Sequence, residues 1–390
     1  MKLLHIPLGG LFLALSIAPS LAAACGGDFA AWRAATVQEA SAEGVGQVGL
    51  DALASATPDP KVIERDRSQG VFTLDFLAFS QRLISDARMT NGKANIAKFR
   101  SSFDRVAREY GVPAEVITAF WAFETDYGAV QGDFNTLNAL ATLAHDCRRP
   151  ELFRPQLIAM AQLIDQGIVP RDITGAWAGE IGQIQVLPAD YLKKGVDGDG
   201  DGAVRMKTSA PDAILTAGNF LASLGWQANQ PWLQEVVVPD EMEWYDAGLF
   251  RQLPVSEWAS RGVTARNGSL TQDLQASLLL PKGRNGPAFL AYPNFNVLLE
   301  WNQSLTYVTT AAYFATRLAG APIYDVGGNY NSLDVEQIKQ LQTKLQARGY
   351  DVGEIDGIIG AGTRLAVREE QRRLGLPADA WPTPELLNVL

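Results

Sequence analysis

The sequence predicts a mainly α fold with some α+β character: a large helical body followed by a small three-helix module. Three observations carry this. Apolar residues recur at helical spacing along much of the chain, few segments alternate as strands do, and a stretch rich in glycine, with a proline and polar residues, at 321–331 separates the two parts. The expected organisation is an export leader at 1–24, a main body at 25–320, a linker at 321–331 and the small module at 332–390.

The leader rests on Lys2, the mostly apolar run from Leu8 to Leu21, and the small residues Ala22, Ala23 and Ala24. The run is short for a spanning helix, and no later segment reaches the roughly 20 apolar residues that one needs. Ile96 to Tyr110 reads as an amphipathic helix, with Phe99, Phe103, Val106, Ala107 and Tyr110 on one face and Gly111 as its stop. Pro113 opens a second helix from Ala114 to Tyr127, stopped by Gly128. Further helices are expected at Thr136 to His145, Leu152 to Gln166 and Pro211 to Leu224, with one short strand at Glu235 to Pro239. In the small module, Ile338, Leu341 and Leu345 form an apolar helix face, and Asp356-Gly357 marks a turn. Thr363 is expected to cap a second helix, and Thr383-Pro384 to open a third.

Composition narrows the function. The 390 residues are 47% apolar and 19% charged, the balance of a folded protein with a sizeable core. A net charge of -10 argues against a nucleic-acid partner, which calls for clustered Lys and Arg. Two cysteines in an exported chain, Cys25 and Cys147, suggest one disulfide. The competing reading lipidates Cys25, but Ala22 stands where a lipobox has Leu, and Cys147 would then be unpaired. Only two histidines occur, and His5 leaves with the leader. His145 by itself cannot build a His-rich zinc site, and beside Cys147 it reads as structural. Carboxylates are therefore the best-supplied acid–base groups.

Glu124 is the candidate acid. It lies in the run Ala119–Gly128, four residues after Phe120 and seven after Ile117, on the stripe shared with Trp121. A carboxyl among aromatics is desolvated, its ionised form is disfavoured, and it can serve as a general acid near neutral pH. By spacing alone, a buried Glu paired with an Arg would look the same. Asp126 points to another face. The segment Gly175–Pro188 combines turn-forming glycines with Gln183 and Gln185, whose amides could hold sugar hydroxyls or N-acetyl groups; a plain connector between helices fits equally. Asp197, Asp199 and Asp201, with Gly202 after them, match the start of a calcium loop. Thr208 stands where the closing Glu belongs, and Asp212 could replace it; a solvated acidic turn is the alternative. The stretch Arg284–Tyr307 interleaves aromatics with amides, which suits either sugar stacking or a core with capping amides.

Taken in order, these motifs resemble the lytic murein transglycosylase B family over most of residues 25–321. The Glu124 helix resembles the family's catalytic helix, Ala178–Pro188 its second motif, the Asp197 loop its calcium loop, and Trp301–Tyr307 its late Asn-x-Ser segment. The resemblance implies a lysozyme-like helical domain with inserted subdomains. It implies Glu124 as the catalytic residue, and Tyr127, Gln183, Gln185, Asn302, Ser304 and Tyr307 as substrate-binding residues. Asp197, Asp199, Asp201 and Asp212 would be the ligands of a structural calcium, with no cofactor required for chemistry. Ala176, where relatives often carry serine, Phe220 and Trp301, where some carry tyrosine, and Arg205, in place of an oxygen ligand, depart from the pattern. The last 60 or so residues resemble a peptidoglycan-binding module, through Leu341, Leu345, Gly349-Tyr350, Gly360, Thr363 and Ala366-Val367, with Glu370 where an aromatic is usual.

The implied activity is cleavage between N-acetylmuramic acid (MurNAc) and N-acetylglucosamine (GlcNAc) in peptidoglycan, leaving 1,6-anhydro-MurNAc ends. Glu124 would act first as acid and then as base, by a monomeric periplasmic enzyme whose partners are glycan strands and a wall-building complex. Two rivals remain. A muramidase would cut the same bond with water. A wall-binding scaffold would do no chemistry, but it would need no desolvated acid.

Overall fold

Glycine and proline punctuate the helical body where the spacing places its boundaries. In the computed structural model, residues 25–68, 74–270, 273–328 and 332–390 are described; the leader falls outside them. Gly111, at φ 68°, ends the helix Arg100–Tyr110, and Pro113 is the N-cap of Ala114–Thr125. The single helix expected from Ile96 is two, Asp86–Lys98 and Arg100–Tyr110. They break at Phe99, whose ring packs 5.8 Å from Trp121. The next helix stops at Thr125 because Asp126 and Tyr127 turn left-handed, at φ 50° and 62°. Thr136–His145, Pro150–Asp165 and Ala210–Ser223 form close to where they were expected.

The acid-bearing helix is packed on several sides. Val116, Ile117, Ala119, Phe120, Trp121 and Ala122 are all buried, against Arg100–Tyr110, Ala210–Ser223 and Leu305–Leu318. Burying so many apolar side chains in one helix, at about 1.5–3 kcal/mol for each large one, holds it firmly in the body.

The sequence reading underestimated the β content. The expected strand is Leu233–Val237, and it belongs to a five-stranded antiparallel sheet. The order is Leu253–Pro254, Gln275–Leu279, Ala288–Ala291, Leu233–Val237, Thr264–Ala265. Ala288–Ala291 is buried on both faces, so it shows no alternation to read. Much of the aromatic–amide stretch is therefore core. Phe289, Leu290, Tyr292 and Phe295 are buried, and the buried Asn294 amide donates to the Gln227 and Gln230 carbonyls.

The small module is three helices, Val335–Ala347, Ala361–Arg373 and Pro384–Val389, around Leu341, Leu345, Val367 and Leu386. Thr383 caps the third as expected. Thr363 does not cap the second: Gly360 holds that position, and Thr363 is buried, accepting a hydrogen bond from the Gln342 amide. The module docks on the body. Arg368 stacks 4.4 and 4.2 Å from the Tyr245 and Phe250 ring centroids, and Arg364 donates to the Leu280 and Pro281 carbonyls. The buried Lys282 ammonium joins Asp75 and Ser332, 2.7 Å from each. Before it, Tyr324 is buried in the expected linker, its hydroxyl 2.8 Å from that of Ser80.

Candidate active site

Glu124 sits on the last turn of its helix, half-buried. The Tyr307 hydroxyl donates to Glu124 Oε1 at 2.6 Å, and the Trp301 side chain adds a further hydrogen bond. Desolvation is the dominant influence and pushes the Glu124 carboxyl up to about 7. Tyr307 and Trp301 oppose the rise, and the charge of Glu180 adds to it. Around it the aromatic rings interlock: Phe120 lies 5.0 Å from Trp301 and 6.0 Å from Tyr307, and Phe123 stacks on Phe314 at 5.2 Å. Burial and the neighbouring Glu124 charge hold the Tyr307 hydroxyl well above its ordinary range, so it stays a donor.

Tyr307 is placed by the two residues read beside it. Asn302 ends the helix Pro293–Trp301, and its side-chain oxygen accepts from the Ser304 N–H at 2.9 Å. Ser304 caps Leu305–Leu318, accepting from the Tyr307 N–H at 3.4 Å. Both amide and hydroxyl thus serve the turn that aims Tyr307 at the acid.

The glycine-rich segment packs on the same helix from the other side. Thr125 Oγ1 donates to the Gln183 carbonyl at 2.6 Å, and Trp121 Nε1 donates to Gln183 Oε1 at 3.1 Å. Gly128, at φ 87°, leaves no room for a Cβ: one would lie 2.7 Å from Gln183 Oε1. Gln185, itself left-handed at φ 49°, donates to the Gly182 carbonyl at 2.8 Å. Tyr127 stands edge-on to Trp121 at 5.5 Å, and its hydroxyl donates to the Arg88 carbonyl. Trp121, Tyr127 and Gln183 line an open recess of about 500 Å³ that reaches Asp199 and Arg205. A second, apolar-lined cavity of about 290 Å³ lies elsewhere, between body and module.

Carboxylate oxygens of Asp197, Asp199 and Asp212 lie within 4.8 Å of one another. The buried Asp212 accepts from the Gly198 and Arg205 N–H groups, and Asp197 from those of Gly200 and Gly202. Converging oxygens on a loop pinned by its own amides are a hard-cation donor set, so these residues fit calcium. Asp201 is not in the group: the Arg205 guanidinium, four residues on, takes its carboxylate. Cys25 and Cys147 are joined in a disulfide, Cα atoms 5.2 Å apart.

The sequence reading missed Glu180. It lies inside the glycine-rich segment, and one of its carboxylate oxygens is sealed from solvent with no hydrogen-bond partner among the described residues. A charged residue between Gly179 and Ile181, in an otherwise apolar and amide run, was the available signal.

Fold and site together define a lysozyme-like helical protein that holds a protonatable carboxyl among aromatic rings and amides. The chain belongs to the family described as the Transglycosylase SLT domain, whose model matches residues 28–316. Residues 334–390 match the putative peptidoglycan binding domain. Membrane-bound lytic murein transglycosylase B of Escherichia coli is 29% identical over 237 residues, 60% of this chain, and the match spans 64% of that relative's length. SltB3 of Pseudomonas aeruginosa, solved in complex with NAG-anhNAM-pentapeptide, superposes with a TM-score of 0.85 at 38% identity, covering 93% of this chain and 99% of that one. The Escherichia coli lytic transglycosylase Slt35, solved in complex with calcium, superposes at 0.63 with 25% identity, covering 76% of this chain and 95% of that one.

Proposed function

We propose that the chain is a peptidoglycan lytic transglycosylase, cutting the MurNAc–GlcNAc bond with Glu124 as acid and then base. The observation that carries the reading is the Glu124 carboxyl, held near pH 7 by burial and hydrogen-bonded by Tyr307. Support comes from family membership and from SltB3, solved with an anhydro-sugar ligand. Glu124 gives its proton to the glycosidic oxygen, and the C1–O bond breaks with its electron pair going to the departing GlcNAc. Positive charge at C1 is met by the substrate's own N-acetyl oxygen. The Glu124 carboxylate then takes the proton of the MurNAc C6 hydroxyl, and O6 bonds to C1. The ring closes, the acid is regenerated, and no water is consumed.

Trp121, Tyr127 and Gln183 line the recess in which sugar rings and N-acetyl groups would rest, with Gln185 two residues on in the same segment and Asn302 and Ser304 holding Tyr307 in place. Calcium, when bound at Asp197, Asp199 and Asp212, would brace the loop beside the recess. The C-terminal module, docked on the body through Arg364 and Arg368, would add wall contacts. We place the protein in the periplasm. Among the described residues no helix is long and apolar enough to cross a membrane. The test is mass spectrometry of glycan digested by wild type and by Glu124→Gln. Anhydro-ended products from wild type alone support the reading. Reducing ends would mean a muramidase, and no fragments from either protein a scaffold.

A further inference from the structure

The helix that carries Glu124 ends in a strained turn. Asp126, Tyr127 and Gly128 follow one another in the left-handed region, at φ 50°, 62° and 87°. Glycine takes this conformation freely, but Asp and Tyr do so under strain, and such residues persist only where their surroundings hold them. On one side the glycine-rich segment does so: Thr125 Oγ1 donates to the Gln183 carbonyl and accepts from the Gly128 N–H at 2.8 Å. On the other side the hold comes from Arg88, on the helix Asp86–Lys98.

Arg88 is itself anchored. Ser85 caps its helix, accepting from the Arg88 N–H at 3.2 Å, and the guanidinium donates to the Leu83 carbonyl at 2.9 Å. From there Arg88 Nε donates to Asp126 Oδ1 at 3.2 Å, and the guanidinium lies 5.8 Å from the centroid of the Phe123 ring. Phe123 precedes Glu124, stacks on Phe314 and stands edge-on to Tyr307 at 5.9 Å. The Arg88 carbonyl accepts from the Tyr127 hydroxyl at 2.6 Å, and Gly92, one turn on, leaves that hydroxyl room: a Cβ there would lie 2.8 Å from it. Arg88 thus grips the chain on both sides of Glu124, through its side chain at Phe123 and Asp126 and through its backbone at Tyr127. The Asp126 side chain is 44% exposed, and an ion pair so open to water adds little stability. Its effect is on geometry.

We propose that Arg88 is a positioning residue for the acid: pinned to the Leu83 carbonyl, its guanidinium holds the left-handed turn at Asp126 and the ring of Phe123, and so keeps the Glu124 carboxyl on the Tyr307 hydroxyl. The inference rests on the transglycosylase reading above. A catalytic group displaced by about 1 Å loses much of its rate, so a clamp two and three residues from the acid matters to turnover. Lysine cannot replace Arg88, because a point charge lacks the fork that joins Leu83 to Asp126. Tyr127, held by the Arg88 carbonyl, stays in the recess whatever side chain stands at 88.

The experiment measures kcat, KM and melting temperature for wild type, Arg88→Lys, Asp126→Gly and the double variant, on a soluble glycan fragment. Arg88→Lys should lower kcat about tenfold and leave KM within about twofold. Asp126→Gly should lower kcat to a similar extent without lowering the melting temperature, because glycine adopts φ 50° freely. A merely structural pair would instead lose stability and turnover together, and that outcome counts against the proposal. The double variant should be no slower than the poorer single one, since both changes break the same link; losses multiplying to about a hundredfold would overturn the idea, as would an unchanged kcat in either single variant. Should Arg88→Lys not fold, Asp126→Gly decides the matter alone. A crystal structure of Asp126→Gly gives a readout free of activity: Tyr307 should no longer meet Glu124 at 2.6 Å, and an intact contact sinks the clamp. Wild-type products without anhydro ends would count against the transglycosylase reading, and the crystal structure would still judge the clamp.

Discussion

Replacing Glu124 by Gln should cut turnover sharply and at the same time stabilise the protein, but only above the acid range. The Glu124 carboxyl is raised from 4.5 to about 7. The folded state therefore holds this proton more tightly than the unfolded chain. Its contribution is fully present below pH 4.5, declines as pH rises, and is gone above pH 7. The gap of 2.5 units, from 4.5 to about 7, corresponds to about 3.4 kcal/mol at 1.36 kcal/mol per unit. Glu124 is only half-buried, so solvent screening reduces this to about 2 kcal/mol. Glutamine keeps the shape and can still accept from Tyr307, but never ionises. Thermal unfolding of both proteins at pH 5 and pH 8 should show nearly equal midpoints at pH 5 and Glu124→Gln higher by roughly 2–3 °C at pH 8. Turnover, measured in parallel, should fall by about 10²–10⁴. A variant no more stable than wild type at pH 8 would refute the argument that burial raises this carboxyl.

Tyr307→Phe keeps the ring packing and removes the donor that favours Glu124's ionised form. Its alkaline limb should move to higher pH, while kcat falls about tenfold because the acid is no longer aimed; a limb moving downward would contradict this assignment. Removing the disulfide, as Cys25→Ser with Cys147→Ser, opens a link spanning 122 residues and should lower stability by roughly 2–5 kcal/mol in denaturant titrations. Millimolar calcium should raise the melting temperature of wild type, by the equivalent of about 2.7 kcal/mol at a hundredfold excess over Kd, and should do little for Asp199→Asn. Equal responses, or none in either protein, would remove calcium from the Asp197 loop.

The helical body was legible because apolar residues recur at helical spacing and Gly111 and Pro113 mark boundaries, signals that act within a few residues; Gly128 lies three residues beyond the stop, which Asp126 and Tyr127 set by turning left-handed. Glu124 was legible for the same reason: a carboxyl on an apolar stripe is a local pattern. The sheet was not, because its strands are two to five residues long and the one at Ala288–Ala291 is buried on both faces. The single helix expected over Ile96–Tyr110 failed at Phe99, where a tertiary contact with Trp121 outweighs continuation of the local period. The aromatic–amide stretch looked like a sugar surface because rings and amides read alike whether they face a ligand or a core.

Local sequence was enough to single out the Glu124 carboxyl, pair the cysteines and set the small module apart from the body. Those inferences need a motif, a count and a break in composition. It was not enough to show what Glu124 meets. Tyr307 is 183 residues away in the chain, and Trp301 and Glu180 arrive on separate segments. The proton affinity of a carboxyl depends on the charges and donors within a few ångströms of it, and only the folded chain brings these groups together.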